Sequence, residues 1–164
     1  MSVPSNHDLG TFASAVDYPM YVATMAVGSE RGGCLVGFAT QTSLEPVRFL
    51  VCISRANATA RIASAASHVA VHLLGREDRD LARLFGEESG DWTDKFERCS
   101  WSAGPYDVPV LDDAAGWFVG EVVDRVVLGD HDGLLLAPVD LREPTASEFL
   151  TFQDLRDLEP GHPA

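Results

Sequence analysis

Three short stretches of this 164-residue chain combine residue types that could do chemistry. The first runs Gly37-Phe38-Ala39-Thr40-Gln41-Thr42-Ser43-Leu44 and sets four polar side chains in a row. Its hydroxyls, amide and backbone N–H groups can hold the polar edge of a ligand or a phosphate. The same groups also serve as ordinary turn hydroxyls at a strand end. The second, Ser54-Arg55-Ala56-Asn57-Ala58-Thr59, reads as the entry to a helix. There, free N–H groups and the positive end of the dipole favour an anion, and Arg55 adds a charge and a forked donor. Plain capping by Asn57, with Arg55 in solvent, uses the same residues. The third, Gly129-Asp130-His131-Asp132-Gly133, sets an imidazole between two carboxylates that can orient it, or is simply a polar turn.

Positioning these stretches requires a frame of strands. Leu9, Phe12, Ala13 and Val16 fall at helical spacing and predict a short amphipathic helix ending before Pro19. Tyr21 to Val27 and Cys34 to Thr40 read as a hairpin, with Gly28 to Gly33 as a turn whose three glycines take unusual backbone angles. After Glu45-Pro46, the apolar run Val47 to Ser54 predicts a strand buried on both faces. Asn57 then caps a helix from Ala58 to about Ala66. His68 to Leu74 is a strand and Arg76 to Phe85 a helix burying Leu81, Leu84 and Phe85. Gly86 to Pro109 reads as a long surface excursion of the kind that covers a ligand or a partner subunit. Trp117 to Leu128 and Leu134 to Leu141 form a last hairpin, and Glu148 to Leu158 a short helix before loose final residues. The tally of about six strands with hairpin connections predicts a mainly β fold with inserted helices, an antiparallel barrel rather than a parallel sheet. The organisation expected is a helical segment 1–17, a barrel domain 18–142 and an acidic tail 143–164.

Composition narrows the function. Acids number 25 against 12 bases, a formal charge of −13, and no basic run exists to bind nucleic acid or an anionic membrane. No apolar stretch reaches the roughly 18 residues of a membrane span, and the first 17 residues lack the basic and apolar regions of a signal peptide, so a cytoplasmic location is expected. Gly-x-Gly-x-x-Gly, P-loop and Gly-x-Ser-x-Gly motifs are absent from the sequence. No metal site is expected. Cys34, Cys52 and Cys99 lack ligand spacing, and His68 and His72 on one strand would stand about 13 Å apart.

The ordered set of segments from about Tyr18 to Val139 resembles the flavin reductase-like family of the flavin-binding split barrel. Ser43-Leu44-Glu45-Pro46 is similar to its Ser-Leu-Asp-Pro, Leu81-Ala82-Arg83-Leu84-Phe85 to its Leu-Ala-x-x-Phe, Lys95-Phe96 to its Lys-Phe pair and Gly129-Asp130-His131 to its Gly-Asp-His turn. The Asn57/Thr59 helix entry and Pro109-Val110-Leu111 before the long Trp117 strand fall in the same order. The resemblance implies a homodimer of six-stranded antiparallel split barrels of Greek-key type. It further implies FMN or FAD near the dimer interface, reduced by hydride from NADH or NADPH, with the reduced flavin passed to a monooxygenase. Carried over, Gly37, Phe38, Ala39, Thr40, Gln41 and Thr42 hold the isoalloxazine edge and ribityl chain. Ser54, Arg55, Asn57 and Thr59 seat the phosphate, Phe85 and Asp130 complete the cofactor set, and His131 positions the nicotinamide.

Two departures qualify this. Leu35-Val36-Gly37-Phe38 stands where many members have Thr-Ala-Asn-Ser, and Val47 where a second Pro is common. The altered loop motivates two other readings: a flavin-holding carrier or sensor without efficient turnover, and an oxidoreductase using a deazaflavin. The charge is unevenly spread. Residues 75–113 and 140–164 hold −10 of the −13, whereas Arg31 to Arg61 holds four arginines and one acid. An anionic cofactor is therefore expected to enter along the second and third strands.

Overall fold

The computed structural model describes residues 3–161. Met1, Ser2 and residues 162–164, which include the final residues expected to be loose, lie outside the described part. A nine-residue helix α1 (Asn6–Ser14) is followed by β1 (Tyr21–Val27), β2 (Glu30–Val36), β3 (Ala39–Leu44) and β4 (Val47–Ser54). Next come α2 (Thr59–Ala63), β5 (His68–Leu73), α3 (Arg79–Glu87), β6 (Trp101–Ala103), β7 (Pro109–Leu111), β8 (Gly116–Leu128) and β9 (His131–Arg142). Among the described residues no helix is long and apolar enough to cross a membrane.

The fold is mainly β with inserted helices, but its main sheet has seven strands rather than six, in the order β2-β1-β5-β8-β9-β4-β3. A flat sheet of that width would hold its edges roughly 29 Å apart at ~4.8 Å per strand. The link Gly37-Phe38 joins edge strand β2 to edge strand β3, and the three steps from Val36 to Ala39 span at most about 11 Å. The sheet must therefore curl until its ends meet. No backbone ladder joins β2 to β3, so the curl is not a closed six-stranded barrel.

Several local expectations are corrected. The strand expected over Cys34 to Thr40 is broken at Gly37-Phe38, and the strand–turn stretch beyond it is a strand of its own, β3, because Ala39–Leu44 pairs antiparallel with β4. In β4 only Val51 and Ile53 are buried, so the strand alternates faces in spite of its apolar run. The β1–β2 turn is just Gly28-Ser29, and only Gly28 takes a positive φ, 60°. Gly32 and Gly33 lie within β2 and serve close packing. A Cβ on Gly32 would sit 2.8 Å from Ile62 of α2, and one on Gly33 2.7 Å from the Phe85 ring of α3. α2 is shorter than expected and Asn57 does not precede its first residue, yet the Asn57 amide oxygen accepts from Thr59 N–H at 2.9 Å. Helix α1 forms, with a Ser5/Asp8 capping box, but buries none of its residues, and Phe12 is 69% exposed. The 86–109 excursion is itself folded, with a 3-10 turn at Lys95–Arg98 and β6 pairing with β7. A single 3-10 turn, Gln153–Leu155, stands in place of the 148–158 helix. Leu150 and Leu155 are nonetheless buried, and Leu150 N–H donates to Leu74 O at 2.9 Å.

One core fills the curl, from Met25, Val36, Val51, Ile53, Val71 and Leu136 among others. A second lies outside it under α3, with Val22, Leu74, Phe85 and Leu111. β5 is buried on both faces, and His72 is fully enclosed. Its Nδ1 bonds Val22 O and its Nε2 accepts from Leu111 N–H, both at 3.0 Å, so the ring is neutral and stitches β1 to β7. Burial pushes this imidazole down to about 4. Unfolded, it takes up its proton near pH 6.5. Stability should therefore be full above pH 6.5 and fall by roughly 2–3 kcal/mol as pH drops to about 4.5. Denaturant unfolding across that range checks this. A His72→Gln variant should lose the slope; the same slope in both proteins would assign it to other groups.

Candidate active site

The curl brings ends of the three chemistry-bearing stretches together. A cleft of about 370 Å³ is lined by Gly37 and Phe38 from the β2–β3 link, Ser54 and Asn57 from the end of β4, and Asp130 and His131 from the β8–β9 turn. Its other walls are apolar: Met20, Leu35, Phe152, Leu158 and Pro160, with Tyr18 stacked on Phe152 at 5.0 Å between ring centroids. The chain beyond Arg142 thus supplies a wall, held where Gly161 N–H donates to Gly86 O at 3.0 Å. No sequence signal pointed to Phe152 or Leu158, because their contacts are with residues more than 65 positions away.

His131 opens β9 opposite Ser54, the last residue of β4. Its Nδ1–H donates to the Asp130 carboxylate at 2.7 Å, which leaves Nε2 as the nitrogen available to a ligand. The imidazole bond holds the Asp130 carboxyl below the usual carboxylate range. The Phe38 ring tilts against His131, with centroids 5.2 Å apart. Ser54 Oγ accepts from Ala56 N–H at 3.3 Å.

Other expected site residues lie elsewhere. Ala39, Thr40, Gln41 and Thr42 continue along edge strand β3, outside the cleft, and Gln41 bonds locally to Ser43 O. Phe85 is core, packed beneath Gly33. Thr59 is buried and donates to Gly33 O at 3.0 Å. Arg55 lines neither this cleft nor the one beside it; it forms an ion pair with Asp132 at 2.6 Å.

A second, more polar cleft of about 470 Å³ lies across β2, lined by Arg31, Gly32, Gly33, Ala58, Thr59, Arg61, Trp92 and Lys95 among others. The two linings are neighbours in sequence at Gly33–Cys34 and at Asn57–Ala58. Lys95 is the residue that the sequence reading undervalued. It is the sole lysine and is only 4% exposed. Its Nζ donates to Gly33 O at 3.1 Å and Phe85 O at 3.3 Å, and sits 5.5 Å from the Phe85 ring centroid. No carboxylate pairs with it among the described residues, and desolvation lowers its pKa. Burial likewise pushes the adjacent Cys34 thiol up to about 11, which keeps it unreactive.

A model of the flavin reductase-like domain matches residues 13–158. The chain belongs to the flavin reductase-like domain family. Among curated members it is 32% identical over 108 residues to the FMN reductase (NADH) RutF of Pseudomonas syringae, matching 66% of this chain and 60% of that one. It is 29% identical over 126 residues to the stachydrine N-demethylase reductase subunit Stc3 of Rhizobium meliloti, matching 74% of this chain and 50% of that one. The matched part thus spans only about half the length of these relatives. In fold it is similar to the NADH:FAD oxidoreductase SgcE6 of Streptomyces globisporus, with TM-score 0.81 and 22% identity over 93% of this chain and 92% of that one.

The residues present fit the cofactor this family implies. The first cleft offers apolar and aromatic walls to a fused ring, with Ser54 and Asn57 at its polar end. The second offers an anion a buried cation that no carboxylate pairs with among the described residues, in a cleft whose lining also includes Glu30, Asp91 and Asp94. Lys95→Met should leave the fold intact, because it removes a desolvated charge. It should weaken FMN binding about tenfold while sparing riboflavin, on the ~1.5–3 kcal/mol scale of a charge-assisted hydrogen bond. Fluorescence titration of both ligands tests this; equal loss of both would mean that Lys95 faces no phosphate.

Proposed function

We propose that this chain is an NAD(P)H-dependent flavin reductase, moving hydride from NADH or NADPH to FMN or FAD. The observation that carries the reading is the cleft itself. Six residues from three separate stretches (Gly37, Phe38, Ser54, Asn57, Asp130 and His131) converge on one apolar pocket, beside a cleft holding an unneutralised buried lysine. The printed activities of the similar RutF and SgcE6 proteins support it.

When bound, the flavin supplies the hydride-accepting ring, and the protein supplies orientation and electrostatics. The apolar walls exclude water from the ring. Ser54 and Asn57 mark the polar end of the ligand, and Thr59 and Lys95 carry that end into the second cleft, where the phosphate charge is met. His131, fixed by Asp130, presents Nε2 to the nicotinamide as a positioning group and moves no proton.

A homodimer belongs to the same reading. The β8–β9 hairpin leaves Val123, Val126, Val127 and Leu128 exposed, Val127 by 70%, and α1 leaves Leu9 and Phe12 uncovered. Such apolar groups call for a covering surface, and a second copy provides it. The reduced flavin would pass to a monooxygenase, as the name of a similar protein of Acinetobacter baylyi, the reductase component of a flavin-dependent trigonelline monooxygenase, suggests. The flavin-carrier reading draws on one observation: the Phe38 ring lies against His131 where a nicotinamide would approach.

Oxidation of NADH and NADPH followed with FMN, FAD and riboflavin decides between them. No flavin-dependent oxidation in any pairing refutes the reductase, and flavin binding without turnover favours the carrier. In an active enzyme, His131→Ala should raise the nicotinamide KM about tenfold, the loss of one positioned hydrogen bond. The flavin Kd should stay within about twofold; equal loss of both would remove His131 from this role.

A further inference from the structure

Arg55 stands beside a proposed phosphate site, yet its side chain is committed elsewhere. Its backbone N–H donates to Asp130 O at 2.9 Å, extending the β4–β9 ladder one step past the Ser54–His131 pair. Its guanidinium reaches diagonally across the strands to Asp132 Oδ1, with Nε at 3.0 Å and Nη2 at 2.6 Å. Side chains alternate along a strand, so Arg55 and Asp132 share one face and Ser54 and His131 the other. The lining residues agree. Ser54 and His131 face the apolar cleft, whereas Asp132 faces a separate hollow with Ala60, Ala63 and Arg125.

We propose that Arg55 is a positioning residue for His131 and not a phosphate ligand: with Asp132 it latches the turn that carries the imidazole. Two anchors bracket that turn. The Arg55 backbone holds Asp130, and the Arg55 side chain holds Asp132. Asp130 in turn holds the imidazole Nδ1. β9 begins at His131 and the hairpin ends at Gly129-Asp130, so the imidazole sits on the first paired residue after the tip. Without the side-chain anchor, the turn that carries both the imidazole and its Asp130 partner is held by backbone bonds alone. Arg55 and Asp132 side chains are 46% and 41% exposed, so the pair adds little to global stability and its loss should not unfold the protein. The guanidinium also shields the site from Asp132, which it holds below the usual carboxylate range.

The inference rests on the reductase reading of His131, and its test separates the two. Wild type is first assayed for NADH oxidation with FMN and with riboflavin; activity in neither overturns the reductase reading and the latch with it. Given activity, Arg55→Ala should raise the nicotinamide KM about tenfold, as misplacement of a positioning group does. Kd values for FMN and riboflavin should each stay within about twofold of their wild-type values. Arg55→Lys, which cannot span both contacts of the fork, should recover only part of the loss. The exchange Arg55→Asp with Asp132→Arg, which rebuilds the pair, should recover more than either single change. A selective loss of FMN over riboflavin would instead make Arg55 a phosphate ligand. An unchanged nicotinamide KM in Arg55→Ala, or no recovery in the exchanged pair, would equally overturn the latch.

Discussion

The bare backbone of Gly32-Gly33 in β2 is the point on which the rest of the site depends. With no Cβ on either residue, Ile62 of α2 and Phe85 of α3 pack directly against the strand. The Gly33 carbonyl, exposed by that same bareness, accepts from both Thr59 Oγ1 and Lys95 Nζ. One carbonyl therefore ties the helix after β4 and the folded excursion after α3 to the same place on β2. Gly33 lines the second cleft, and the next residue, Cys34, lines the first. A side chain here would push Phe85 away, lift α3, and withdraw the Phe85 carbonyl that Lys95 also uses.

That arrangement bears on how a strongly acidic protein would meet the anionic ligands proposed for it. Several arginines are already spent: Arg55 on Asp132, Arg61 on Glu30, Arg79 on Asp157, Arg83 on Glu87 and Arg98 on Glu88. Lys95 is different because it is buried and its partners are neutral carbonyls. A charge held that way has given up hydration without a carboxylate hydrogen-bonded to it, Glu88 acting on it only through space. An incoming phosphate would supply a directly bonded counter-charge. The uneven spread of charge in the sequence pointed to this side of the molecule, but to its arginines, several of which are neutralised.

The frame was legible where patterns are local. β1, β4, β5, the β8–β9 hairpin and α3 follow from alternation, helical spacing and turn glycines, and the family was legible in the order of its short motifs. Errors arose where non-local packing overrides the local pattern. Gly32 and Gly33 look like turn residues until α2 and α3 are seen against them. Thr42 and Ser43 look like a turn because they lie on an edge strand, β3, which has a partner on one side only and exposes its polar side chains. Cleft residues Phe152 and Leu158 belong to a stretch with no periodicity, placed by contacts with Tyr18 and Gly86. Arg55 has the right chemistry at the right spacing for a phosphate, and nothing in the sequence reveals that Asp132 lies diagonally opposite.

The long hairpin links the site to the outer surface. β8 pairs with β5 only from Gly116 to Glu121, and β9 pairs with β4 only from His131 to Leu136. Along Asp124 to Leu128, β8 is therefore held only by β9, and its other edge is free. A two-stranded ribbon of this kind is weakly stable alone and exposes backbone groups. Its tip is also where His131 sits. β4 and the Arg55–Asp132 pair brace the β9 side, whereas the outer part of β8 has no strand partner but β9 and is tied to the chain by Arg125, whose guanidinium donates to Ala66 O. The exposed valines fall on that stretch. In the proposed homodimer, a surface that buried them would restrain the turn from the side where β8 has no neighbouring strand, and would couple assembly to alignment of the imidazole through one pair of strands.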